Sequence, residues 1–300
     1  MEKIEFWKNF SLGTELEISG AFIYNALKLI NNIENFNYSE DVFEILYNLS
    51  VGIERIEKIA IILIEHKDID NQKEFEKKII SHNHQELLKR ITKNNSLQLN
   101  KPEIEFITLL SIFYKKNRYD RFNLDTKNQY DKEKELFIDF IKSRLNVEVD
   151  NDSSYESFKN TQQIQSFLSK IVGKISSEIF NVIECIAREQ NIYTYELRLD
   201  GKAYNVFINK DYIFNYETIL KKEFIISIIN NSNSNFIKFI KSIQPLCFDV
   251  QDENEMISNL LATNKSNHYF DELDNLYENI INKNDRFKKL ELIGKTGISF

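Results

Sequence analysis

Two short segments hold most of the residues able to do chemistry. The first is His82-Asn83-His84. Two imidazoles two residues apart can bind a metal, exchange protons or touch phosphate. The other histidines, His66 and His268, stand apart from them. A zinc site needs further ligands, and no third His or Cys lies close in sequence. The plainer alternative is a polar helix start capped by Asn83, with Glu86 three residues on. The second segment runs from Lys115 to Asn123. It carries Lys115, Lys116, Arg118 and Arg121, with Tyr119 and Phe122 interleaved. Arginine forks suit phosphate, and aromatic faces suit bases. Here the plainer alternative is a solvated helix end, where cations also favour the negative pole of the dipole. Arg118 and Arg121 could then pair with Asp120, Glu103 or Glu105.

Glu54 adds a third point of interest. With Arg55 and Lys58 it puts charge inside an otherwise apolar helix. Glu54 and Lys58 are an i,i+4 pair, worth only about 0.2–0.5 kcal/mol on a surface. If buried, Glu54 needs a partner, and Arg118 or a histidine is the natural one.

No phosphate loop, dinucleotide-binding glycine pattern, zinc motif or Gly-x-Ser-x-Gly elbow occurs. The formal net charge of −7 argues against a nucleic-acid coat but leaves room for a local basic patch. The two cysteines, Cys185 and Cys247, lack metal-type spacing and read as free thiols. The segment from Met1 to Gly13 does not resemble a signal peptide. The longest apolar run, Ile59–Ile64, falls far short of the roughly 20 residues needed to span a bilayer. A cytoplasmic protein without a membrane anchor is expected, with no cofactor and no metal.

These residues need elements to hold them. With 300 residues, 42% of them hydrophobic, the chain can bury two cores. Only 7 Gly and 2 Pro favour helices. Apolar spacing predicts helices over 14–32, 39–66, 75–80, 85–91, 101–114 and 132–145. Thr14 and Glu17 read as a capping box, while Asn100-Lys101-Pro102-Glu103 reads as a helix start with a cap, an early proline and an acid in the first turn. Gly52 interrupts the longest helix of this half, which a close helix crossing would explain. The polar run 150–154 reads as a linker, giving domains at 1–147 and 160–300. In the second, a helix over 162–190 precedes a β-hairpin at 193–208, turned by Asp200-Gly201. Helices return at 216–230, 234–243, 253–261 and 271–281. The fold class expected is mainly α: a helical bundle, then a helical domain with one hairpin.

The order of three blocks resembles the HEPN family of bacterial helical-bundle proteins over residues 5–145. The blocks are Leu49 to Lys58, then His82 to Leu88, then Phe113 to Phe122. The resemblance implies an antiparallel bundle that dimerises. It also implies a metal-independent ribonuclease of toxin or phage-defence type, or a non-catalytic relative that binds a nucleotide, RNA or a partner protein. The family motif is an arginine, four to six residues, then a histidine. Arg118 fits the arginine, but Asn123 stands where the histidine belongs. On that resemblance His84 is the expected substitute acid or base, with His82 second. Arg118 and Arg121 would hold phosphate, while Lys115, Lys116, Tyr119, Asn123 and Glu54 would line the site. The expected partners are RNA, tRNA included, or a nucleotide, with a second copy of the chain and a defence-system protein. A purely structural alternative closes Glu54 and Arg118 into a buried ion pair.

Overall fold

The computed structural model describes residues 3–66, 72–93, 95–120, 122, 131–145, 158–192, 194–198, 201–210, 214–230, 234–246, 257, 260, 273, 275–278 and 280–294. It is mainly helical. In chain order the elements that build the first unit are α1 (Lys3–Phe6), α2 (Leu12–Asn32), α3 (Ser39–Glu65), α4 (Gln72–Ile79) and α5 (His84–Thr92). They continue with α6 (Lys101–Ile112), α7 (Arg118–Asp120), α8 (Lys132–Arg144), α9 (Gln162–Glu189) and α10 (Lys202–Tyr204). Wide π-helical turns at Trp7–Ser11, Phe113–Asn117 and Asn205–Asn209 join some of them.

α3 is the central helix. It packs on α2, α5 and α9, and Ile45, Leu46, Leu49, Ile53, Ile56 and Ala60 are fully sealed. A helix apolar beyond one stripe has this place in a bundle. The crossing of α2 and α3 explains Gly52. A Cβ there would lie 2.6 Å from Ile23 Cγ1, and the Ser19 hydroxyl donates to the Gly52 carbonyl at 2.7 Å. α6 starts as its sequence predicts, with the Asn100 N–H donating to the Glu103 carboxylate at 2.8 Å.

Thr14 does not start a helix. α2 begins at Leu12 and is preceded by further helical turns, so Thr14 lies inside it and donates to the Phe10 carbonyl. Glu17 caps a different helix: its carboxylate accepts the N–H groups of Lys202 and Ala203.

That contact also bears on the expected hairpin at 193–208, which is not formed. Among the described residues there is a 3₁₀ turn at Tyr195–Leu197, then α10, then the π-helical turn at Asn205–Asn209. Ala203, Val206 and Phe207 are the buried hydrophobic side chains among the described residues here. They lie three and four apart, which is helical spacing, and α9 together with α2 supplies the surface they cover. No strand occurs among the described residues, only an isolated antiparallel bridge between Asn35 and Lys159.

The chain divides into compact units at 1–212 and 213–300. The boundary expected near 147–160 is crossed by packing instead. α9 presses Ile171, Ile175, Ile179 and Phe180 into the first core. Asn160 donates to the Ile33 carbonyl, and Gln190 donates to the Leu63 carbonyl. The second unit holds α11 (Phe214–Asn230), α12 (Asn235–Lys241) and a helix at Lys283–Leu290. Ser234 caps α12 by accepting the Ile237 N–H, and Tyr277 stacks on Phe287. Of the helix expected at 253–261 only residues 257 and 260 are described; within 271–281, residues 273 and 275–278 are helical; Cys247 and His268 lie outside the described residues.

Candidate active site at the head of α5

The site begins on one face of α3. Ser50, Glu54 and Glu57 fall four and three residues apart, so they share a side of the helix. Opposite them runs the short non-helical segment 81–83, with Asn83 in an extended conformation. Alternate residues of extended chain point the same way. The two periods match, and two carboxylate–imidazole contacts form side by side. His82 Nδ1 lies 2.9 Å from Glu54 Oε2, and His84 Nδ1 lies 2.7 Å from Glu57 Oε2.

The two pairs differ in access. Half of the His82 side chain is exposed, whereas His84 and Glu57 are both sealed at 0%. Glu54 is only 7% exposed and is further held by Lys58 Nζ at 2.7 Å. Asn83 sits at the N-cap position, yet its side-chain oxygen accepts the Ser111 hydroxyl at 2.9 Å rather than a helical N–H. The start of α5 is thereby fixed to α6 as well as to α3.

The third wall is the π-helical turn Phe113–Asn117, which interrupts the helix between α6 and α7. Such wide turns recur at functional sites because they re-aim side chains. The Tyr114 ring lies 5.4 Å from the His82 ring and 6.4 Å from the His84 ring. The Arg118 guanidinium sits over Tyr114 at 4.0 Å and over Tyr119 at 4.5 Å. Among the described residues no carboxylate pairs with it. Glu103 is engaged in capping, and Glu105 pairs with Arg144 and Lys101. The ion pair of Glu54 with Arg118 is likewise not formed, because Lys58 and His82 hold Glu54.

Burial dominates the electrostatics. It pushes the Glu57 carboxyl above its ordinary range, and neighbouring His84 only partly opposes this. Burial also raises the Tyr114 phenol, helped by the Glu54 charge, while Arg118 pulls the other way. Several sealed polar atoms have no hydrogen-bond partner: Ser50 Oγ, Glu57 Oε1, His84 Nε2 and both side-chain amide atoms of Asn117. Among the described residues no group of three metal-ligating side chains gathers, and no helix is long and apolar enough to cross a membrane.

His82, His84, Glu54, Arg118 and Tyr119 are thus connected around Tyr114, directly or through one intermediate side chain. Lys115 and Lys116 lie exposed on the same turn. Arg121 and Asn123 lie outside the described residues. His84, expected to act on substrate, is sealed from solvent. The exposed imidazole is His82. Tyr114 and Glu57 were not singled out in the sequence. Glu57 could have been found as a second acid one turn beyond Glu54 within the apolar stretch Leu49–Leu63; Tyr114 had no such signal. Comparison with family models, curated proteins and solved structures finds no match to this chain.

Proposed function

We infer that the chain is a metal-independent ribonuclease, with His82 as the acting imidazole and Arg118 as the phosphate clamp. The observation that carries this reading is the half-exposed His82–Glu54 pair beside an arginine held on aromatic faces, with no carboxylate partner among the described residues. Glu54 accepts the proton on Nδ1, which leaves Nε2 to act as base. In the reaction, Nε2 takes the proton of a ribose 2′-hydroxyl. The 2′ oxygen then bonds to phosphorus, and the bond from phosphorus to the 5′ oxygen breaks. The leaving oxygen receives a proton from the imidazolium or from water. A positioned acid–base group contributes about 10²–10⁴-fold. Arg118 stabilises charge developing on the phosphate oxygens, a contribution of about 10²–10³-fold for a well-aimed donor. Lys115 and Lys116 draw the backbone in, and Tyr119 offers a face to a base. The reading also draws on the HEPN-like order of blocks, which brings with it a second copy of the chain and a toxin or phage-defence setting.

The test is incubation with total RNA and with tRNA in EDTA, beside Arg118→Ala. The expected outcome is cleavage that survives EDTA, leaves cyclic phosphate ends and falls at least about 10²-fold in the variant. Undiminished cleavage by Arg118→Ala would sink the proposal.

One observation favours a second reading, an RNA- or nucleotide-binding module without catalysis. Only one of the two paired imidazoles reaches solvent. RNA binding that requires Arg118, with no cleavage by either protein, would establish that reading.

A further inference from the structure

The sealed pair Glu57–His84 has no route to a substrate. We propose that Glu57 and His84 are positioning residues, whose contact sets the register of segment 81–83 so that His82 meets Glu54. The effect on cleavage rests on the ribonuclease reading above; the effect on His82 geometry does not.

Three observations lead here. Glu54 and Glu57 are one helical turn apart, and His82 and His84 flank the extended Asn83 where the chain enters α5, so the inner contact fixes the outer one. A slip of the segment by one residue would turn Asn83 toward α3 and leave Glu57 buried without its imidazole. An unpaired buried acid is costly, and the inner pair thereby penalises the wrong register. Glu57 and His84 are also both fully buried, where an apolar pair of similar volume would serve stability as well or better. Directional recognition is what an apolar pair would lack. Lastly, the segment is pinned on its other side by the Ser111 hydroxyl on Asn83. That contact fixes Asn83 to α6, while along α3 His84 meets Glu57 at the head of α5 and Arg90 meets Glu65 further along it.

The test is the full chain with Glu57→Leu and His84→Leu together, a change that keeps the core apolar. The readout is the pair of ring ¹⁵N shifts of His82, recorded at about pH 8. In the wild type these should report a proton on Nδ1, donated to Glu54. In the double variant we expect cooperative unfolding to be retained. We also expect the His82 proton to move to Nε2, the preference of a free imidazole, and RNA cleavage to fall on the order of 10²-fold with KM unchanged. A His82 ring still protonated on Nδ1 overturns the proposal, because packing alone then sets the register. Should the double variant fail to fold, Glu57→Gln and Glu57→Ala decide the matter. The amide keeps an acceptor for His84 and should keep the His82 signature, whereas alanine should lose it. Identical His82 spectra in those two variants also overturn the proposal. Absence of cleavage by the wild type would count against the ribonuclease reading alone, since the ¹⁵N result stands without it.

Discussion

Glu57 is buried on all sides and shares a hydrogen bond with one histidine. Burial raises its pKa, and His84 offsets only part of the rise. Between the unfolded value, about 4.3, and the raised folded value, the native state holds a proton that the unfolded chain has released. Stability from this group is therefore full below the unfolded value and is lost as pH rises through the folded one. Glu57→Gln removes that titration. Its melting temperature, relative to wild type, should climb with pH across the range that begins at about pH 4 when followed by circular dichroism. A constant difference across that range would show that Glu57 does not titrate in this way. At this scale the sequence was informative about types and poor about access. The spacing of His82 and His84 marked a chemical segment. Which of them faces solvent depends on the meeting of an extended chain with α3, and no local pattern carries that.

Helix starts and crossings set where those residues stand. Asn100, Pro102 and Glu103 act within one turn, so their capping role was legible. Thr14 and Glu17 show the same local pattern, yet Glu17 serves a helix nearly two hundred residues away. Long-range capping of that kind leaves no trace in a short window. The hairpin expected at 193–208 failed for a related reason. Asp200-Gly201 is a good turn pair, but Ala203, Val206 and Phe207 bury as a helical face against α9 and α2. Gly52 was legible as an oddity, and the crossing with α2 gives it a cause. Gly52→Ala should destabilise the protein by about 1–3 kcal/mol, because its Cβ would meet Ile23 Cγ1 at 2.6 Å and the Ile23 backbone nitrogen at 3.3 Å. Urea unfolding measures this, and an unchanged midpoint would mean that α2 and α3 separate at little cost.

The molecule as a whole is divided by packing rather than by polarity. The run 150–154 reads as a linker, but α9 beyond it belongs to the core of the first unit. Composition marks polar stretches; it does not mark where contacts stop. A chain ending at Tyr212 should fold cooperatively and keep the site, as judged by circular dichroism and thermal unfolding. A chain ending near 150 should not, because it leaves the α3 surface that α9 covers open to water. Equal folding by both would place the boundary at the linker after all. The roles given to the two imidazoles are open to a direct comparison. Single-turnover cleavage of one RNA in EDTA would be measured for the wild type, His82→Ala and His82→Asn, with Arg118→Ala alongside. The expected result is metal-free cleavage by the wild type that falls at least about 10²-fold in each variant while RNA still binds to both His82 variants. Cleavage at the wild-type rate without the His82 imidazole would contradict the assignment of catalysis to this site.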